Sequence, residues 1–145
     1  ARVHLADHQN LHSITVPAQA CYRVAVALKR IAHKDGESAL SAWDRGEATA
    51  EQIATASRYC LQVLREKAPG KSVEVRVPPF GAAQIIEGPS HTRGTPPAVI
   101  EMSADTWLAI ATGRETFLEA KDSGSISASG ERADLTAWLP ITQLP

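Results

Sequence analysis

The sequence predicts an α+β domain with a mainly antiparallel four- to five-stranded sheet, helices packed on one face and an N-terminal helical segment before it. Helical periodicity dominates residues 18–69, whereas residues 70–145 contain short alternating runs typical of strands, separated by proline- and glycine-containing turns. A chain of 145 residues suits one domain that buries most of its apolar surface without disulfides. We therefore expect residues 1–17 to be an N-terminal segment and residues 18–145 a single domain.

The first half of the domain contains three predicted helices, at residues 21–32, around 39–43 and at 50–67. The dipeptides Asp35-Gly36 and Arg45-Gly46 are expected to interrupt the helices, and Pro69-Gly70 to end the last one. Thr49 and Gln52 form a capping-box pattern at the start of the third helix. Its apolar positions share one face, which should pack on the sheet: Ile53, Ala56, Tyr59, Cys60, Val63 and Leu64.

Four strands are predicted, at residues 73–77, 80–86, 99–102 and 125–129. In the first, three valines alternate with Glu74 and Arg76, which indicates a strand buried on one face. Pro78-Pro79 ends this strand. In the fourth, Ile126 and Ala128 alternate with serines, the pattern of a strand with one solvated face. Residues 88–97 contain two glycines and three prolines and are expected to form a loop.

Three short helices complete the prediction. Ser103 can cap the first, and Gly113 suits its left-handed C-terminal cap. Phe117 begins the second, which should stop at Ser123-Gly124. Leu135, Trp138 and Leu139 lie three and four residues apart, a spacing that favours a last helix ended by Pro140.

Composition argues against several classes of protein. The net charge is −1 and no basic stripe is present, which argues against a nucleic-acid partner. No apolar run approaches the roughly 20 residues of a membrane span, so integral membrane association is not expected. No signal peptide is visible, and the expected location is cytoplasmic. Cys21 and Cys60 match no metal-ligand spacing and are interpreted as buried, reduced thiols.

Several stretches resemble known families. The order of elements over residues 98–139 resembles the C-terminal half of the sterol carrier protein type 2 fold. Three other segments resemble the small actinobacterial proteins labelled sterol carrier family: ASRYCLQVL (56–64), SVEVRVPPFGAAQ (72–84) and GPSHTRGTPP (88–97). The same fold resembles the C-terminal domain of mycothiol-dependent maleylpyruvate isomerases. The general resemblance covers residues 72–141, and the narrower one extends back to about residue 39.

The resemblance implies a non-catalytic function: binding of a lipid, sterol or acyl-type molecule between the sheet and the helices. The candidate ligand-binding residues are Phe80, Ile85, His91, Arg93, Trp107, Phe117 and Trp138. Arg93 could hold a carboxylate or phosphate bidentately, with His91 beside it. Alternatively, Arg93 stabilises its loop through backbone carbonyls or Glu101, and the aromatic residues are ordinary core.

Two other functions stay open at this point: a protein-interaction or accessory domain without ligand, for example a homodimer, and a relic of a thiol-dependent isomerase. No nucleophile motif is present, because the serines in residues 124–130 do not meet the spacing of a nucleophile elbow. We therefore expect neither catalytic residues nor a cofactor. His4, His8 and His12 would share one helix face, as zinc or nickel ligands can, but their polar segment is a weak helix former. No metal site is predicted.

Overall fold

The structure is a computed structural model that describes residues 29–89 and 98–144. Within these ranges the chain forms four helices and four strands. In chain order they are α1 (His33–Asp44), α2 (Ala50–Lys67), β1 (Val73–Val77), β2 (Gly81–Ile85), β3 (Ala98–Met102), α3 (Ala104–Thr112), α4 (Phe117–Asp122) and β4 (Ile126–Ser129). Most of the predicted helix over residues 21–32 lies outside the described residues, and residues 29–32 are not helical.

The four strands form one mixed sheet in the order β2-β1-β3-β4. The pairs β1–β2 and β3–β4 are antiparallel, and only the central β1–β3 pair is parallel. The three valines of β1 are fully buried, whereas Glu74 and Arg76 lie on the opposite, more accessible face. This arrangement confirms the predicted α+β class with a mostly antiparallel sheet.

Helix α2 begins and ends as the sequence predicts. Thr49 accepts a hydrogen bond from the Gln52 backbone at 3.2 Å, and the Gln52 side chain accepts one from the Thr49 backbone at 2.9 Å. These two bonds form the predicted capping box, which satisfies donors that a helix start leaves free. The buried face of α2 includes Tyr59, Cys60 and Leu64, and the helix packs against β2, α1 and α3.

Helix α1 differs from its prediction, because it runs straight through Asp35-Gly36. Gly36 is buried, and a β-carbon at this position would overlap the ring of Tyr59 on α2. The hydroxyl of Tyr59 forms a hydrogen bond with His33 Nδ1 in the first turn of α1. Glycine is therefore present here for close helix packing and does not break the helix.

Replacing Gly36 by alanine is expected to destabilise the fold although alanine is the better helix former. Overlap with the Tyr59 ring costs about 1–3 kcal/mol, which outweighs the roughly 1 kcal/mol gained in helix propensity. Urea denaturation followed by circular dichroism measures the difference. Ser38→Ala, at an exposed position of the same helix, is the control and should stay near neutral. A Gly36→Ala protein at least as stable as the unmodified chain would contradict this packing.

The caps of α3 are those expected from the sequence, whereas the N-terminal cap of α4 was not predicted. Ser103 accepts a hydrogen bond from the Thr106 backbone at 3.2 Å, and Gly113 ends α3 with a φ of 81°. Helix α4 begins with a second capping box, formed by Thr116 and Glu119. The side chain of Leu118 on α4 is 53% exposed.

The predicted helix around residues 135–139 is wrong. The chain forms a turn here, closed by one hydrogen bond of 2.9 Å from the Trp138 backbone to the Leu135 carbonyl. The carboxylate of Asp134 accepts from the Thr136 backbone at 2.8 Å, and Pro140 provides no donor that could continue a helix. Beyond Pro140, the backbone N–H of Ile141 donates to the carbonyl of Ala111 at 3.0 Å, which docks the end of the chain on α3.

Candidate functional site

A cleft of 490 Å³ lies between helix α2 and strand β2, at the edge of the sheet. It is lined by Lys29, Ile31, Arg58, Leu61, Gln62, Arg65, Gly81, Ala82 and Ala83. Most of the accessible lining is apolar. Small-molecule sites commonly have volumes of about 300–1,000 Å³ and an apolar lining with a few polar groups.

One wall of the cleft comes from a single stripe of α2. Four residues of α2 line the cleft: Arg58, Leu61, Gln62 and Arg65. Leu61 and Gln62 follow Arg58 by three and four residues, and Arg65 follows them by four and three, so all four share one face of the helix. This stripe lies beside the buried face that packs on the sheet. Leu61 is buried, and the side chains of Arg58 and Gln62 are half-buried.

The opposite wall comes from strand β2, whose small residues leave the cleft open. A β-carbon placed on Gly81 would lie 3.5 Å from Cδ1 of Leu61 and 3.8 Å from Cγ of Arg58. These are ordinary contact distances, so any larger side chain at Gly81 would extend into the space between the two walls. Ala83 follows two residues later on the same side of the strand.

The third wall is the segment before α1, which Gln62 holds in place. The amide oxygen of Gln62 accepts from the backbone N–H of Ile31 at 3.0 Å, and its amide nitrogen donates to the Ile31 carbonyl at 3.1 Å. A backbone that has no helix or sheet partner thereby obtains both of its hydrogen bonds from one side chain. The pair fixes the Ile31 side of the cleft to α2.

The charged groups of the cleft are all cationic. Lys29, Arg58 and Arg65 line it, and none of its lining residues is an aspartate or glutamate. Among the described residues, none of these three cations forms a side-chain ion pair, whereas the neighbouring Arg30 pairs with Glu66 at 3.0 Å. The cleft therefore combines an aliphatic interior with a positive potential.

Five of the seven site residues predicted from the sequence lie away from this cleft. Trp107 is 0% exposed, and its Nε1 donates to the Ser57 carbonyl at 3.1 Å. Ile85 and Phe117 are buried in the core, whereas Phe80 and Trp138 are half-buried in turns. None of these five residues lines the cleft. His91 and Arg93 lie outside the described residues.

The residues that sequence reasoning missed had a detectable signal. One stripe of α2, next to its apolar face, contains two cationic residues, Arg58 and Arg65, with an apolar residue and an amide between them at positions 61 and 62. A strand with glycine and alanine at three successive positions, residues 81–83, was the complementary signal, because small side chains leave space beside a helix.

Other reactive groups within the described residues have structural roles. Burial raises the pKa of the Cys60 thiol to about 12, so it stays protonated at neutral pH. No cluster of three or more histidine, cysteine or acidic side chains able to hold a metal ion occurs within residues 29–89 and 98–144. His4, His8, His12 and Cys21 lie outside those ranges. In the same ranges, no helix is long and apolar enough to span a bilayer.

A second, smaller cavity of 220 Å³ lies between α1 and α2. It is lined by Asp35, Ser38, Ala39, Glu51, Gln52 and Thr55. Five of the six lining residues are polar or acidic, and the cavity offers a ligand much less apolar surface than the cleft beside β2. The cleft beside β2 is the better candidate site.

The region that matches a known protein family includes two walls of the cleft. A protein-family model described as a bacterial SCP ortholog matches residues 49–141, which is more than half of the chain. No curated protein matches the chain. The matched region starts at the cap of α2 and ends after the docked C-terminal turn, so it contains both the α2 wall and the β2 wall of the cleft.

Proposed function

We propose, from the premise that this chain belongs to the family of bacterial sterol carrier protein (SCP) orthologs, that it binds an apolar small molecule of the lipid, sterol or acyl type. The observation that supports this function is the cleft of 490 Å³ between α2 and β2. Family membership alone supports apolar ligand binding in general terms. The volume and apolar lining of the cleft support this location for the ligand.

Hydrophobic burial would supply most of the binding energy. Ile31, Leu61 and Ala83 present aliphatic surface to the cleft, and apolar surface removed from water contributes about 25 cal/mol per Å². The wall is already formed, because the hydrogen bonds from Gln62 hold Ile31 in position without a ligand. A preformed wall reduces the ordering cost of binding.

Three of the site residues that we predicted from the sequence have a structural role in this proposal. Trp107, Ile85 and Phe117 belong to the same hydrophobic core as the buried faces of α2 and the sheet, and this core keeps α2 and the sheet at a fixed separation. A direct ligand contact of His91 or Arg93 stays a prediction. The relation to the isomerases, the cytoplasmic location and a homodimer also stay predictions from the sequence.

Filling the cleft tests the proposal. We expect a fluorescent fatty-acyl or sterol probe to bind the unmodified protein with roughly micromolar affinity, and Gly81→Leu to weaken binding by at least about tenfold. A β-carbon at Gly81 would make only ordinary contacts, and a thermal melt verifies that the variant is folded. Fluorescence titration measures the affinities.

Ser127→Leu is the matched control, since it adds the same side chain at an exposed position of β4 that does not line the cleft. It should bind the probe as the unmodified protein does. Equal binding by a folded Gly81→Leu protein would place the ligand elsewhere. If no acyl or sterol probe binds saturably, the protein is not a carrier of this type, and the interaction-domain alternative gains support.

A further inference from the structure

We infer that the ligand is an anionic amphiphile, whose carboxylate or phosphate-ester group is held by Arg58 and Arg65 while its apolar part occupies the cleft. This inference rests on the proposed function and deepens it, because it specifies the charge of the ligand. A neutral sterol or alcohol would use the apolar walls but not the cations.

The cleft is positively charged, whereas the protein as a whole is nearly neutral. The chain has 15 basic and 16 acidic residues, yet the cleft contains three cations and no carboxylate. Surface cations usually have acidic neighbours, as in the pair of Arg30 and Glu66. A cleft of one sign focuses its potential and attracts ligands of the opposite charge.

The two arginines are placed to serve an amphiphile. They lie seven residues apart on the same stripe of α2, which corresponds to a separation of about 10 Å along the helix axis. Leu61 and Gln62 lie between them on that stripe. The aliphatic part of Arg58 approaches Gly81, so its methylenes extend the apolar lining, and its guanidinium can remain hydrated until an anion displaces water.

Arginine is the residue type expected for this role. Its guanidinium offers five donors in a planar fork that matches the geometry of both carboxylate and phosphate oxygens. The N-terminus of α2 cannot supply the positive charge, because Arg58 and Arg65 lie in the middle and the last turn of the helix. The side chains themselves must therefore hold the anion.

Four probes test the inference, because they separate the contribution of the ligand's alkyl chain from that of its negative charge: laurate, dodecyl phosphate, 1-dodecanol and inorganic phosphate. Each competes with the fluorescent acyl probe below its micelle concentration, and calorimetry measures inorganic phosphate directly. We expect laurate and dodecyl phosphate to bind at least about tenfold more tightly than dodecanol, the size expected for charge-assisted hydrogen bonds. Inorganic phosphate should bind far more weakly than dodecyl phosphate.

The variant Arg58→Gln with Arg65→Gln should lose at least about tenfold in affinity for the two anionic amphiphiles and less than about twofold for dodecanol. Arg45→Gln is the control, since Arg45 is an exposed arginine that does not line the cleft. It should leave all affinities unchanged. Raising the salt concentration should weaken the anionic probes selectively.

Each other outcome overturns the inference in a recognisable way. Equal binding of laurate and dodecanol, unchanged in the double variant, would show an apolar site without charge selection and would leave the proposed function intact. Equal affinities for inorganic phosphate and dodecyl phosphate would show an anion site to which the ligand's alkyl chain contributes no binding energy. Failure of all four probes, together with the acyl and sterol probes, would overturn the proposed function as well.

Discussion

A Gly70→Ala protein is expected to lose about 3 kcal/mol or more of its unfolding free energy. Gly70 has a φ of 151°, and a β-carbon there would overlap the carbonyl group of Ile86 and the backbone nitrogen of Glu87. Backbone atoms cannot rotate away as a flexible side chain can. The Ile86 backbone is also held on both sides, donating to the Ala68 carbonyl at 2.8 Å and accepting from the Ser72 backbone at 3.0 Å.

Urea denaturation measures this loss, and Gly46→Ala is the matched control. Gly46 also has a positive φ, 73°, but no atom lies within 4 Å of its hypothetical β-carbon. Its replacement should therefore cost only the backbone strain, about 1–2 kcal/mol. The excess loss at Gly70 reports the overlap with Ile86. If both variants lose the same amount, the chain does not approach Gly70 this closely.

The second large effect is expected for Trp107→Ala, which should cost about 3–5 kcal/mol. The side chain is 0% exposed and is surrounded by the core of α2, α3 and the sheet. Its removal would leave a cavity and would also remove the 3.1 Å hydrogen bond that its Nε1 donates to the Ser57 carbonyl. Calorimetric or denaturant-induced unfolding measures the change.

This experiment also separates a core tryptophan from a ligand-binding one. If Trp107 lined a ligand site, its truncation would reduce probe binding while the stability of the ligand-free protein changed little. Trp43→Ala is the control, because Trp43 is half-exposed and its ring is 4.8 Å from the Arg114 guanidinium carbon. Truncating Trp43 should cost about 1 kcal/mol, the size of an accessible cation–π contact with some packing. Equal losses at both tryptophans would contradict the core assignment of Trp107.

Features that depend on neighbours in sequence were predictable. The alternation of valines in β1, the capping box of Thr49 and Gln52, and the caps of α3 at Ser103 and Gly113 all follow the local patterns. Each rests on backbone geometry or hydrogen bonds within about four residues, so no knowledge of the rest of the chain is needed. The α+β class follows from the order of such local patterns.

Features that depend on distant residues were not predictable from those patterns. The local pattern at Gly36 predicts a helix break. In the structure, glycine is needed there because α1 packs closely against the ring of Tyr59, 23 positions later on α2. Residues 135–139 have helical spacing, but Asp134, Pro140 and the docking of Ile141 on Ala111 impose a turn. Local propensity is worth fractions of a kcal/mol per residue, so such contacts override it.

The candidate site illustrates the same division. The amino-acid sequence by itself determined the amphipathic stripe of α2, the small residues of β2 and, through the resemblance, the family. Only the tertiary structure placed α2 against the sheet edge and brought Ile31 to Gln62, which creates the cleft. The tertiary structure also buries Trp107 completely in the core, because α3 packs against α2 and the sheet. A cleft is the space between elements, and that space exists only after long-range packing sets their separation.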